Sequence, residues 1–400
     1  MLSSVLAKNS KSLRFVIDQA RGSWIYDTAG RKYLDAFASY SSVNFGHRHP
    51  VLFKAFLRQA ERLSVFSRTS TSDVLLGMCE KISECYGDSI VGCKPKVIPM
   101  NSGCEAGETA VKLARKWGYL HKSIPAGSAK VIFPKNNYWG RTLSAVSTSE
   151  YSYQRHFHPV MPGLETVPYD DVSAMEKALE DPHVSAVFLE PVQGEGGVNV
   201  PSPDYFKRVR ELCDRRNVLL IADEIQTGMG RTGDPLCIGG YGVKADMVLL
   251  GKSLGGGFVP VSACVARADV ADVFLPGEHS STFGGFPLGC AMGVASLKLL
   301  HETPILDRVR VVGPRLRAEL EALRKRFPHL IESVRGKGML FGVQLAASLS
   351  PWEVVNRLVD HGIVTREANH SVVRICPPLT ISDAELEFLV ARLGACFAEL

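Results

Sequence analysis

The chain has 400 residues, 46% of them hydrophobic and 22% charged, the balance of a water-soluble protein that can bury more than one core, and its length favours two domains. Its formal charge of +5 comes from 46 basic and 41 acidic residues with no stripe or tail, which argues against nucleic acid or an anionic membrane as the main partner. No apolar run approaches the ~18 residues needed to span a bilayer, and the ten cysteines form neither a CxxC pair nor a Cys/His cluster at zinc spacing, so no metal is expected and the thiols read as reduced, in a cytoplasmic setting.

The first 17 residues carry Lys8, Lys11 and Arg14, several serines and no acid. They read as an arm packed on the protein, with a mitochondrial transit segment as the alternative. Residues 22–36 (GSWIYDTAGRKYLDA) predict a hairpin around Thr28 to Gly30 that joins a smaller domain. From about 95 to 290, short apolar runs alternate with amphipathic stretches, as in a parallel α/β sheet covered by helices on both faces. Strands are predicted at 96–99, 130–133, 186–190, 218–223, 247–250 and 261–266. Beyond Pro287 a helix-rich run reaches Arg326, followed by a strand at 340–345, a helix near 352–360 and a last helix from Asp383. The expected division is an N-terminal segment 1–45 joining the small domain, a large domain 46–292 and a small α+β domain 293–400.

Chemistry concentrates at three places. Asn101-Ser102-Gly103-Cys104-Glu105 follows a strand and opens a helix whose apolar side includes Ala106, Ala110, Leu113 and Trp117. Ser102 and Gly103 thus lie at a helix N-terminus, where free N–H groups and the dipole favour a phosphate and glycine permits close approach. The strand 218–222 runs into Asp223-Glu224, and the strand 247–250 into Gly251-Lys252-Ser253. Both ionisable residues therefore stand at the carboxyl ends of strands, the edge at which open α/β sheets bind ligands. A lysine there can form an imine with an aldehyde cofactor, and a carboxylate facing a pyridine nitrogen keeps it protonated. A nucleotide phosphate loop is excluded by spacing: the position five residues before Gly251 is Asp246 where glycine is required, and the glycine run follows the lysine.

These residues carry a family resemblance over roughly 22–400. The segments NSGCEAGETAVKLARKWGY, NNYWGRTLSAVS, FLEPVQGEGGVNVP, LLIADEIQTGMGRTG, DMVLLGKSLGGGFVPVSA, HSSTFGGFPLGCA and VRGKGML resemble those of class III aminotransferases, nearest to the ornithine δ-aminotransferases. The resemblance implies a pyridoxal 5'-phosphate (PLP) enzyme of fold type I, with a large domain built on a mainly parallel seven-stranded sheet and a smaller α+β domain. It further implies a homodimer with active sites at the subunit interface.

Matched position by position, the resemblance makes Lys252 the Schiff-base lysine, Asp223 the pyridinium partner and Gln226 a donor to the cofactor's phenolic oxygen. Gly103 and Cys104 bind the phosphate through backbone N–H groups beside Ser102, Tyr138 stacks on the ring next to Trp139, and Thr282 reaches the phosphate of the neighbouring subunit. Arg374 grips glutamate's α-carboxylate, Glu195 covers that arginine when the amine donor is bound, Arg141 receives the distant carboxylate of ornithine, and Tyr40 lines the donor pocket. The implied reaction moves an ω-amino group, with L-ornithine the best single donor, to 2-oxoglutarate. Other ω-amines, or a mutase or racemase, remain alternatives, and Glu195 with Arg374 favours the transaminase. One departure bears on the donor: Ser10 stands where these enzymes place a tyrosine that contacts ornithine, and Phe45 and Phe286 are larger and less polar than usual. From these, weakened ornithine turnover and a preference for a less polar or N-substituted amine are expected.

Overall fold

The structure, a computed structural model, describes residues 7, 9, 11–92 and 94–400. Near the N-terminus β1 (Ile17–Arg21), β2 (Trp24–Asp27) and β3 (Lys32–Asp35) form an antiparallel meander. Asp27 sets its second turn: Oδ1 accepts the backbone N–H groups of Ala29 and Arg31, and Oδ2 the side chains of Arg31 and Tyr33, all at 2.8–2.9 Å. This is the hairpin predicted around Thr28 to Gly30.

The central sheet contains β4 (Lys96–Met100), β5 (Lys130–Pro134), β6 (Leu164–Val167), β7 (Val184–Leu189), β8 (Leu219–Asp223), β9 (Met247–Leu250) and β10 (Ser262–Ala266), in the order β4-β10-β9-β8-β7-β5-β6. Strands β5 to β9 pair in parallel. β10 runs antiparallel to both neighbours, β9 and β4. Only the short turn Lys252–Gly255 and a loop separate β9 from β10, and a parallel return needs a longer crossover, usually a helix. β6 escaped the sequence reading because its edge position leaves Glu165 and Thr166 exposed, so no apolar run marks it.

Side-chain alternation makes the sheet two-sided. Val187, Leu189, Leu220, Ala222, Val248 and Leu250 enter the larger core, while Phe188, Leu219, Ile221, Met247 and Leu249 face a second core. The helix Gly103–His121 covers that second face with Ala106, Ala110, Leu113 and Trp117.

Towards the C-terminus, after helices Pro287–His301 and Ile305–Arg326, come β11 (Ile331–Lys337), β12 (Leu340–Leu345), β13 (Ile363–Val364), β14 (Glu367–Ala368) and β15 (Val372–Ile375). They build a sheet β11-β12-β15-β14, while β13 pairs in parallel with β3 and ties the N-terminal meander to this region. The helices Pro351–Asp360 and Asp383–Ala398 occupy the predicted places. No helix among the described residues is long and apolar enough to cross a membrane.

Candidate active site

The carboxyl ends of β7, β8 and β9 deliver Glu190, Asp223 and Lys252 to one cavity of about 330 Å³. Lys252 adopts φ +46 directly after the extended Gly251, a left-handed conformation that costs a non-glycine residue about 1–3 kcal/mol and that clusters at active sites. Among the described residues its ammonium gains no hydrogen bond; it meets only the fields of Glu195, Arg374, Asp223 and Glu190, and burial drives its pKa down. Burial likewise raises Asp223 to about 6, against the opposing hydrogen bond from the Ile225 N–H and the field of Lys252.

Glu190 was missed by the sequence reading, although it too stands at a strand's carboxyl end, the signal that singled out Asp223 and Lys252. Burial first, and then the charge of Asp223, push it up to about 8. Its Oε1 accepts the Tyr138 N–H at 2.9 Å and its Oε2 that of Gly194 at 3.2 Å. Glu190 thus fixes the backbone that carries Tyr138.

At the other wall, Ser102 caps the helix Gly103–His121 in a capping box. Its hydroxyl accepts the Glu105 N–H at 3.1 Å, and its own N–H goes to Glu105 Oε2 at 2.6 Å. The groups left for an anion are the N–H donors of Gly103 and Cys104, which have no intrahelical acceptor. A Cβ on Gly103 would press on Ile225 at 3.1 Å. Gln226 lines the same cavity, its amide donating to the Tyr40 carbonyl at 3.3 Å, and a side chain on Gly194 would collide with it. Tyr138 and Trp139 also line it. Trp139 is mostly core, packed against Phe133 and Phe188 with its indole N–H on Thr148 Oγ1 at 2.9 Å.

Tyr138 and Arg141 belong as well to a second cavity of about 380 Å³, with Tyr40 and Glu195. Next to it lies Arg374, fully buried, its Nη2 donating to Glu195 Oε1 at 2.8 Å, its Nε and Nη1 without partners among the described residues, and its guanidinium 5.0 Å from the Tyr40 ring. Thr282 is exposed and lies outside both cavities. Phe45 and Phe286 are buried and line neither cavity, so their size is a matter of core packing. Ser10 lies outside the described residues.

A family model for Aminotransferase class-III matches residues 5–397. The chain belongs to the class III aminotransferases. It is 45% identical to the mitochondrial ornithine aminotransferase of Drosophila melanogaster, over 95% of this chain and 86% of that protein. With the ornithine aminotransferase of Staphylococcus carnosus it shares 42% identity, over 98% and 96%. Among solved structures, an ornithine aminotransferase from Toxoplasma gondii superposes with a TM-score of 0.95 at 44% identity, covering 99% of this chain and 93% of that one. An acetylornithine aminotransferase from Elizabethkingia anophelis reaches 0.87 at 36%, covering 98% and 96%.

As a class III aminotransferase the chain is PLP-dependent, and the first cavity fits that cofactor. It offers a buried lysine with no hydrogen-bond partner among the described residues, a buried carboxylate whose one backbone donor is Ile225, and two free N–H groups at a helix start where glycine leaves room. An aldehyde, a ring nitrogen and a phosphate are the groups that such a set would hold.

Proposed function

We propose that this enzyme transfers the δ-amino group of L-ornithine to 2-oxoglutarate, giving a semialdehyde and glutamate. The observation that carries the reading is the Arg374–Glu195 pair beside the shared wall of Tyr138 and Arg141: one pocket must accept glutamate, with a carboxylate on the reacting carbon, and an ω-amine without one. Arg374 serves the first case. With the second, Glu195 neutralises it, because an unpaired buried guanidinium is costly.

PLP, when bound, supplies the electron sink that lets the carbon carrying the amino group lose a proton. Lys252 Nζ is the base that removes this proton and returns it, and its burial keeps the required neutral amine accessible. Asp223, ionised, would keep a proton on the ring nitrogen, and Gln226 would donate to the oxygen on the ring. The Gly103 and Cys104 N–H groups would hold the phosphate, and Tyr138, whose backbone Glu190 fixes, would pack against the ring. Thr282, exposed on its own chain, fits a contact with the phosphate site of a second copy, so we read the working form as a homodimer. The cysteines, unpaired among the described residues, fit a reducing compartment, read as the cytoplasm with the mitochondrial matrix as the alternative. A donor screen with 2-oxoglutarate, reading out glutamate, tests the assignment: ornithine should lead, and a better rate with another amine would replace it.

A further inference from the structure

Arg141 is the cation proposed to receive the donor's distant carboxylate, and its surroundings indicate how the donor's far end is recognised without the tyrosine that Ser10 replaces. The guanidinium carbon lies 3.8 Å from the Tyr153 ring centroid and 5.1 Å from that of Tyr138. Its neighbours are rings, and no ion pair joins it to a carboxylate among the described residues. A flat guanidinium stacked on an aromatic face loses little further freedom on binding, so it is preorganised for a bidentate anion.

Two carboxylates not yet assigned a role face the same cavity, Glu150 and Glu367. Glu367 lies between Lys11 at 3.9 Å and Arg366 at 3.6 Å, so its charge is already matched. Among the described residues Glu150 meets only the exposed His370 ring, at 3.6 Å. It begins the short helix Tyr151–Gln154 that also carries Tyr153. One local segment therefore brings both an unspent negative charge and the ring that holds Arg141.

Resting on the donor assignment above, we propose that residues 150–153 complete the distal donor subsite: Tyr153 positions Arg141 for the α-carboxylate, and Glu150 receives the α-ammonium beside it. The preferred donor then carries a free, zwitterionic α-amino acid end, and acylation of that amine removes the Glu150 contact. This replaces the expectation of a less polar donor, since the cavity presents charged groups of both signs.

The test uses the full-length holoenzyme and single-turnover half-reactions, followed by the cofactor's visible spectrum, with ornithine, N2-acetylornithine and glutamate. Glu150→Gln should lower kcat/KM for ornithine about ten- to hundredfold, the worth of one hydrogen bond to a charged group, and change the other two by less than about threefold. Tyr153→Leu should raise KM for both carboxylate-bearing ω-amines about tenfold, and Tyr153→Phe, which keeps the ring, should restore it. A Glu150→Gln loss shared equally by glutamate would show a structural role and overturn the proposal, as would an ornithine-specific loss appearing in Glu367→Gln instead. Wild-type enzyme that uses ornithine while Glu150→Gln is indifferent sinks this inference alone. Wild-type enzyme that rejects ornithine but accepts N2-acetylornithine sinks the donor assignment with it.

Discussion

Replacing Glu195 by glutamine tests the proposed gate most directly. In the structure Arg374 is wholly buried, and Glu195, 28% exposed, is the one carboxylate on it among the described residues, at 2.8 Å. Removing one partner of a buried pair costs roughly 3–5 kcal/mol, and the partial exposure of Glu195 argues for the lower end, about 3 kcal/mol or less. At about 1.4 kcal/mol per factor of ten, that sets a ceiling near a hundredfold. A carboxylate substrate must displace Glu195 to reach Arg374, so Glu195→Gln removes its competitor. The glutamate half-reaction should gain in kcat/KM, by at most that ceiling, through a lower KM. With ornithine, Arg374 is left bare and the half-reaction should weaken. Arg374→Ala should do the reverse, damaging the glutamate side far more than the ornithine side. Stopped-flow measurement of each half-reaction separates the two. Parallel changes in both for either variant would mean that the pair is structural and the gate is wrong.

Lys252→Ala should yield a folded protein that borohydride cannot label with cofactor, whereas the wild-type label maps to Lys252 by peptide mass; labelling elsewhere refutes the assignment. Glu190 and Glu224, raised by burial from 4.5 to about 8 and about 7, hold protons in the native state that the unfolded chain releases. Stability of the cofactor-free protein should therefore fall as pH rises from about 4.5 to 8, and urea titrations of Glu190→Gln should show a shallower fall; an unchanged slope would show that Glu190 is not the group responsible. Arg231, fully buried, donates to the Met339 and Pro377 carbonyls and to Asn44 Oδ1 at 2.6–3.1 Å. Arg231→Met orphans three acceptors at about 1–3 kcal/mol each, so thermal denaturation should occur several degrees below the wild-type midpoint, and a Tm within about a degree of it (on the order of 1 kcal/mol for a chain of this length) would contradict that accounting.

The local pattern was enough to find Asp223 and Lys252, because a buried parallel strand is an apolar run and its carboxyl end is read directly from the charge that follows. The same holds for Ser102 and Gly103, where the capping serine and Glu105 announce a helix start three residues apart. Glu190 obeyed the rule applied to Asp223 and was legible, though unused. Other features had no local signature. The antiparallel sense of β10 depends on what its short connection permits. That the Ser102 N–H is consumed by Glu105, leaving Gly103 and Cys104 as donors, depends on a side-chain rotamer. Phe45 and Phe286 are buried and line neither cavity, which depends on which elements pack over them. The second cavity gathers Lys11, Tyr40, Arg141, Glu150, Tyr153 and Glu367 from segments up to 356 residues apart. By itself the sequence determined the inner strands of the central sheet and the placing of Ser102, Gly103, Asp223 and Lys252 at element ends, since each is written in neighbouring residues. Only the tertiary structure decided which charges line the second cavity together, because such meetings are set by long-range packing, to which the periodicity of neighbouring residues is blind.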